Sequence, residues 1–150
     1  MSKEWGIPIW CFMHTLAAKI KPDYYHKVKE EVLNHIKLIC ASLPCPDCAQ
    51  HATTYMNAIT IHNVPTQPAF VKMLWEFHNS VNTRIGKQTF SFQSLEIYKR
   101  VNFYFMFNAF IRAFGKPLNN PRLLLDSMSR TRQINVLKSW IIRNKQYLIT

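Results

Sequence analysis

Apolar side chains recur at helical spacing along most of this chain, and no stretch alternates apolar and polar residues convincingly enough for a strand. Residues that end or interrupt helices punctuate the pattern, as at Pro22, Pro44 and Gly86. The spacing predicts helices over residues 5–20, 23–42, 45–58, 70–84, 94–114 and 121–147. The predicted fold class is therefore all-α, with the helices packed as a bundle.

The length and composition suit one domain with a hydrophobic core, since 48% of the 150 residues are hydrophobic. The first residues lack the apolar stretch of a secretory signal. The most apolar run, residues 101–114, contains Asn102, Asn108 and Arg112 and is too short to span a bilayer. We therefore expect no transmembrane segment and a cytoplasmic protein, in which a disulfide is more often catalytic than structural.

The net charge of +11 is concentrated in the second half of the chain. Residues 86–150 carry eleven basic side chains and only two acidic ones. Such a segment suits contact with nucleic acid, an anionic membrane or an acidic partner, and equally suits a solvated helix face. No zinc finger or RNA-reading motif makes nucleic acid binding more specific, so that possibility stays open.

A pair of cysteines stands at the predicted start of the third helix. Cys45 and Cys48 are spaced i and i+3, which permits a disulfide across one helical turn. The unpaired N–H groups and the dipole at a helix N-terminus stabilise a thiolate. The pair is therefore typical of thiol–disulfide chemistry.

Zinc binding is the alternative for the same segment, because four side chains of ligand type are close in sequence. These are Cys40, Cys45, Cys48 and His51. In this alternative the chain is a zinc-stabilised helical binding module whose basic C-terminal part binds nucleic acid.

One stripe of the predicted fourth helix combines an aromatic ring, an imidazole and two amides. Its members, at i, i+3, i+4 and i+7, are Trp75, His78, Asn79 and Asn82. Buried imidazoles and amides need hydrogen-bond partners, which a flat ligand rich in heteroatoms would supply. Trp10 and His14 on the first helix would form a second wall of the same kind. The alternative is a set of polar core groups that the protein itself satisfies.

Together these segments resemble the Erv-type FAD-linked sulfhydryl oxidases, the family that includes augmenter of liver regeneration. The resemblance covers about residues 3–100. The amino-acid sequence of residues 43–52 is most similar to that of the members encoded by large DNA viruses. The matching elements are Trp5-Gly6 with Trp10 and His14, Cys45-Pro46-Asp47-Cys48 with His51, and Trp75-x-x-His78-Asn79-x-Val81-Asn82 followed by Gly86-Lys87.

The resemblance implies a four-helix bundle that binds FAD, with a short fifth helix, over residues 1–100. Residues 101–150 lie beyond it and are expected to add C-terminal helices packed on the same domain. Members of the family are usually homodimers, so a homodimer is expected here. For a viral member, the expected location is the cytoplasm of the infected host cell or the virion.

The resemblance also implies the roles of individual residues. Cys45 and Cys48 would be the catalytic cysteines, with Cys48 nearest the flavin and Cys45 attacked by the incoming thiolate. No metal ligand is implied. The FAD-binding residues would be Gly6, Trp10, His14, Cys48, His51, Trp75, His78, Asn79, Val81, Asn82, Lys87 and Tyr98.

The implied activity is FAD-dependent oxidation of dithiols, with electrons passing from the cysteine pair to FAD and then to O₂, which gives H₂O₂. Cys11 and Cys40 are the other two cysteines, and both are expected to be buried small apolar residues. The substrate is therefore expected to be a dithiol protein, or a thioredoxin-like carrier, that reaches Cys45 directly. A scaffold that binds FAD without oxidase activity is a further hypothesis.

Overall fold

The computed structural model describes residues 5–116 and 124–150, and almost all of them are helical or lie in short connections. The α-helices are α1 (Gly6–Lys19), α2 (Tyr25–Ala41), α3 (Pro46–Asn57), α4 (Gln67–Arg84), α5 (Phe103–Phe114) and α6 (Leu124–Arg143). Short 3₁₀ helices span Pro22–Tyr24, Ile61–Asn63, Phe92–Lys99 and Lys145–Tyr147. Within the described residues, β structure is limited to one antiparallel bridge between Ile20 and Leu148. The predicted all-α class is confirmed.

Prolines and side-chain caps determine where these helices begin. Cys45 is the residue that caps α3, and Pro46 takes the first helical position, where a missing N–H is harmless. Helix α4 begins at Gln67, earlier than the predicted residue 70. The reason is that the Thr66 hydroxyl accepts a hydrogen bond of 3.2 Å from the amide of Ala69.

The single helix predicted over residues 94–114 is wrong. The structure has a 3₁₀ helix at Phe92–Lys99, a break, and then α5 at Phe103–Phe114. Asn102 causes the break, because its extended backbone and its side chain, which accepts a hydrogen bond of 2.9 Å from the Phe105 amide, start a new helix. Asparagine favours such a capping position over a helix interior.

Buried side chains from all six α-helices form one hydrophobic cluster. Helix α1 lies at its centre and packs on α4, on α5 and on the 3₁₀ helix Phe92–Lys99, whereas α2 packs on α3 and α6. Four of the five phenylalanines of α5 are buried on one face of the helix, and one of these four stacks on Phe12 of α1 at 4.6 Å. These four are Phe103, Phe107, Phe110 and Phe114.

The last helix, α6, closes the bundle against α2. Its Trp140 is fully buried and donates a hydrogen bond from the indole nitrogen to the carboxylate of Glu31. The predicted start of the last helix at residue 121 lies outside the described residues. Among the helices that the structure describes, none is long and apolar enough to cross a membrane.

Candidate active site

The cysteine pair stands at the junction of α2 and α3. Residues 42–46, here called the cysteine loop, join the two helices and carry Cys45 in an extended conformation with φ −137° and ψ 113°. The sulfur of Cys45 accepts a hydrogen bond of 3.4 Å from the backbone amide of Cys48. Both cysteines are half-buried. A sulfur in this position lies where the helix N-terminus stabilises negative charge.

Four rings from α1, α4 and the 3₁₀ helix after α4 form what we call the ring cluster: Trp10, His14, His78 and Tyr98. Trp10 stacks on His78 with 3.8 Å between ring centroids and 3° between planes. His14 stacks on Tyr98 at 5.1 Å and 24°. His14 Nε2 and His78 Nδ1 are 2.8 Å apart, so the two imidazoles share a hydrogen bond. The sequence placed these rings on separate helices, and the fold brings them together.

The two imidazoles of the ring cluster are neutral near pH 7. Burial, and to a smaller extent the neighbouring His78, lower the pKa of His14 to about 3. The pKa of His78 is lowered to about 4, chiefly by burial, and the Lys87 cation is among the smaller causes. The cluster therefore presents flat, uncharged rings with directional nitrogen atoms, which suits a heteroaromatic ligand.

Two clefts adjoin the ring cluster. The first, of about 150 Å³, is lined by Ile7, Trp10, Cys11, His78, Asn82, Lys87 and Tyr98. The second, of about 170 Å³, shares Tyr98 with the first and includes His14 in its wall. Five of the predicted cofactor-binding residues thus line the first cleft, and His14 lines the second.

A glycine turn places Lys87 at the first cleft. Gly86 follows α4 with φ +76°, a left-handed conformation that residues with a side chain rarely adopt. The turn lets the backbone amide of Lys87 donate a hydrogen bond of 2.8 Å to the carbonyl of Asn82. A cation and an amide consequently lie at the same cleft, a combination that suits an anionic group attached to a ring.

Trp75 and Asn79 contact the protein backbone instead of lining either cleft. The Trp75 indole and the Asn79 amide donate to the carbonyl of Phe90 at 3.0 Å and 2.9 Å, and the Phe90 amide donates to Asn79 Oδ1 at 3.0 Å. The Phe90 ring in turn lies 4.8 Å from that of His78. For these two stripe residues the protein itself supplies hydrogen-bond partners, which hold Phe90 against the ring cluster. Their contact with FAD stays a prediction.

The remaining predicted residues lie elsewhere. Gly6 is buried at the start of α1, Val81 is half-buried against the core, and His51 is exposed on α3. Cys48, half-buried, packs against the hydrophobic core beside the N-terminus of α3. Neither of the two clefts includes any of these four residues.

Two residues of the first cleft, Ile7 and Cys11, were missed by the sequence analysis. Cys11 was expected to be buried, but it is half-buried and its sulfur accepts a hydrogen bond of 3.8 Å from the Tyr98 hydroxyl. The available signal was helical spacing, since Ile7 is three positions before Trp10 and Cys11 is three positions before His14. The expectation for Cys40 is confirmed, because it is fully buried and burial raises its pKa to about 12.

The structure does not support the zinc alternative. Of the four proposed ligands, Cys40 is fully buried in α2 whereas His51 is exposed on α3. Among residues 5–116 and 124–150, no group of three or more His, Cys, Asp or Glu side chains is arranged to hold a metal ion.

Comparison with known proteins assigns the family. The model of the Erv1 / Alr family matches residues 8–102, which include the cysteine loop and the ring cluster. The chain belongs to the Erv1 / Alr family. The match ends before α5, so α5 and α6 lie outside it. No solved structure matches the chain.

Named relatives of this Erv1 / Alr chain come from viruses and plants. It is 32% identical over 89 residues to the putative FAD-linked sulfhydryl oxidase 347L of Invertebrate iridescent virus 6, which covers 55% of this chain and 80% of that protein. It is 32% identical over 90 residues to the FAD-linked sulfhydryl oxidase of African swine fever virus, covering 59% and 73%. The FAD-linked sulfhydryl oxidase ERV1 of Arabidopsis thaliana is 28% identical over 88 residues, covering 59% and 46%.

Proposed function

We propose that this chain is an FAD-dependent thiol oxidase that forms disulfides in dithiol protein substrates. The observation that carries the proposal is the Cys45–Cys48 pair at the N-terminus of α3, where the Cys48 amide donates to the Cys45 sulfur. Membership of the Erv1 / Alr family, whose matched residues include this pair, supports the same activity.

The residues at the two clefts fit FAD by their chemistry. FAD joins two flat heteroaromatic rings through an anionic diphosphate, and the clefts offer ring faces, the Asn82 amide and the Lys87 cation. Each cleft is smaller than the roughly 300–1,000 Å³ of a usual small-molecule pocket. FAD therefore needs both clefts, or a separation of the stacked Trp10 and His78 rings. We expect Trp10, His78 and Tyr98 to contact its rings and Lys87 its phosphates.

The proposed reaction begins with the pair as a disulfide. A substrate thiolate attacks the Cys45 sulfur, forms a mixed disulfide and releases the Cys48 thiolate. The second substrate thiolate then attacks the substrate sulfur of this mixed disulfide, so that the substrate leaves as a disulfide and Cys45 leaves as a thiolate. The Cys48 N–H stabilises the negative charge that develops on the Cys45 sulfur. When bound, FAD supplies the two-electron acceptor that reoxidises the pair and passes the electrons to O₂ to give H₂O₂.

Direct access of the substrate to Cys45 follows from the placement of the other cysteines. Cys40 is fully buried, and Cys11 lies in the first cleft in contact with Tyr98. We therefore propose that a dithiol protein, or a thioredoxin-like carrier, reacts with the half-buried Cys45 itself. By resemblance to the viral members, we further propose a homodimer that acts in the infected host cytoplasm or in the virion.

The first test is the visible absorbance spectrum of the purified protein before and after addition of dithiothreitol. We expect a flavin band that bleaches with dithiothreitol and returns in air. A protein that lacks the band and does not take up added FAD would contradict the proposal. A protein that binds FAD but consumes no oxygen with any dithiol would be a scaffold without oxidase activity.

A further inference from the structure

A buried arginine of α6 reaches the cysteine loop. Arg130 is 1% exposed, and its Nη1 donates to the Ser42 carbonyl at 3.4 Å. Its Nε donates to the Phe114 carbonyl at 3.1 Å, and its Nη2 donates to the Ser127 hydroxyl at 3.1 Å. Ser42 and Phe114 stand at the C-terminal ends of α2 and α5, where exposed carbonyls and the helix dipole favour a cation. The guanidinium thus ties the ends of two helices to α6.

The second oxygen of Ser42 is also held by α6. Gln133 Nε2 donates to the Ser42 hydroxyl at 2.6 Å. Gln133 Oε1 is buried and has no hydrogen-bond partner among the described residues. Because Gln133 has one satisfied and one unsatisfied group, replacing it removes little net stability. Ser42, the first residue of the cysteine loop, is therefore anchored at both of its oxygens by a helix outside the matched family region.

The cysteine loop transmits the position of Ser42 to Cys45. Pro44 and Pro46 each have a restricted φ angle, and each also confines the preceding residue to extended conformations. Leu43 and Cys45 are those preceding residues, so each residue from 43 to 46 has little backbone freedom. Leu43 is in addition buried. A stiff loop that is held at Ser42 keeps Cys45 at the start of α3.

The hydrogen bonds of Arg130 go to neutral oxygens, although the side chain is charged. Burial lowers the pKa of Arg130, and the field of Asp126 opposes that effect. Among the described residues, the ion pairs within 4.0 Å are Lys72–Glu76 and Lys99–Glu96, so Arg130 has no such partner there. A buried charge without a close counter-ion contributes little to stability compared with an apolar side chain of similar size. The contribution of Arg130 therefore lies in holding the Ser42 carbonyl, the Phe114 carbonyl and the Ser127 hydroxyl in place.

We propose that Arg130 is a positioning residue for the thiol reaction. It anchors Ser42, so that the Cys45 sulfur stays where the Cys48 amide donates to it. The proposal rests on the proposed thiol chemistry of Cys45 and Cys48, but it does not require FAD or oxygen. It assigns a role to α6, which lies beyond residues 8–102 that match the family.

The test compares Arg130→Met and Arg130→Lys with Arg132→Met, an exposed arginine of the same helix. Two readouts are measured on the purified full chain: the rate of Cys45 alkylation by iodoacetamide, and the equilibrium of the Cys45–Cys48 disulfide with glutathione. In Arg130→Met the loop loosens and the Cys48 amide no longer stabilises the Cys45 thiolate. We expect slower alkylation and a shift of the equilibrium toward the disulfide, each by roughly tenfold or more, the effect of one hydrogen bond to a charged group.

Arg130→Lys keeps the cation and is expected to recover most of both values, and Arg132→Met is expected to leave them unchanged. If Arg130 had only a structural role, Arg130→Met would lower the midpoint of urea unfolding without changing the glutathione equilibrium. A folded Arg130→Met with both readouts within twofold of the wild type would overturn the proposal, as would equal effects of Met and Lys.

If Arg130→Met does not fold, Gln133→Ala decides the question. We expect it to fold normally and to shift both readouts in the same direction by about twofold to threefold. Wild-type values in Gln133→Ala would then overturn the proposal. Flavin content and oxygen uptake are recorded separately, so that a failure of the proposed oxidase function is distinguished from a failure of the positioning role.

Discussion

At the scale of single residues, the sulfur of Cys45 takes the place at which a serine or aspartate oxygen commonly caps a helix. The local elements of this geometry are the extended Cys45 backbone, Pro46 at the first helical position and the Cys48 amide. It gives the two cysteines unequal positions, one before the helix and one within its first turn. We therefore expect the roles of Cys45 and Cys48 to be distinct, with both required.

Cys45→Ser and Cys48→Ser are each expected to abolish dithiol oxidation and leave FAD bound, because neither residue lines the two clefts. Oxygen uptake with dithiothreitol and the flavin absorbance check this. The matched control is Cys40→Ala, which alters a fully buried cysteine outside the pair and should retain turnover. Full activity in either serine variant would refute the assigned roles.

The neutral histidine pair predicts a pH dependence of stability. His14 and His78 have ordinary pKa values near 6.5 in the unfolded chain and lowered values of about 3 and about 4 in the fold. Below pH 6.5 the unfolded chain binds more protons, so this stability is complete above pH 6.5 and is lost progressively as the pH falls to about 4 for His78 and about 3 for His14. Each histidine adds a slope of up to about 1.4 kcal/mol per pH unit.

Urea unfolding at a series of pH values between 7 and 4 measures this slope. His78→Phe keeps a ring beside Trp10 and removes one titrating group, so its slope is expected to be smaller than that of the wild type. His62→Asn, which changes an exposed histidine, should keep the wild-type slope. An unchanged slope in His78→Phe would count against the neutral pair.

At the scale of elements, α4 uses one stripe for two purposes. Trp75 and Asn79 bind the backbone of Phe90, whereas His78 and Asn82 line the first cleft. The pattern on the helix predicted a polar stripe correctly, but it did not distinguish these two pairs. The distinction depends on where the segment after Gly86 folds back.

Asn79→Ala is expected to lower the free energy of unfolding by about 1–3 kcal/mol, because it leaves the Phe90 amide without its partner and removes one donor to the Phe90 carbonyl. We also expect weaker FAD binding, although Asn79 does not line the cleft, since Phe90 then loses its position beside His78. Urea unfolding and FAD titration measure the two effects. Ser80→Ala, an exposed change on the same helix, is the control, and equal FAD affinity in both variants would contradict the indirect role.

At the scale of the whole molecule, the C-terminal helices belong to the same hydrophobic cluster as α1 to α4. The basic residues of this part are exposed on the described segments, with Arg130 the buried exception. Their exposure matches the solvated helix face, and nucleic acid binding stays a prediction. The division into residues 1–100 and 101–150 also stays a prediction.

Shortening the chain after residue 101 tests that division. Removal of α5 exposes Phe12 and the surface on which four phenylalanines pack, so we expect the shortened chain to lose cooperative unfolding. Near-ultraviolet circular dichroism and urea titration check this. Phe105→Ala, which changes an α5 ring that is 66% exposed, should stay within about 0.5 kcal/mol of the wild type. A shortened chain that unfolds cooperatively at the full-length midpoint would show that residues 1–101 are an independent domain.

The sequence by itself determined the all-α class, the apolar faces of the helices and the cysteine pair at a helix start. Helical periodicity and capping depend on residues close in sequence, so both can be predicted from the few residues around each position. The apolar periodicity gave a wrong prediction at residues 94–114, because capping by Asn102 starts a new helix there.

Only the tertiary structure decided which polar groups meet. His14 pairs with His78 across 64 positions, and Arg130 reaches Ser42 across 88 positions. Asn79 forms two hydrogen bonds with the Phe90 backbone across 11 positions. A polar side chain on a helix face shows that it needs a partner but not which one, because partners distant in sequence are brought into contact only by packing of the core.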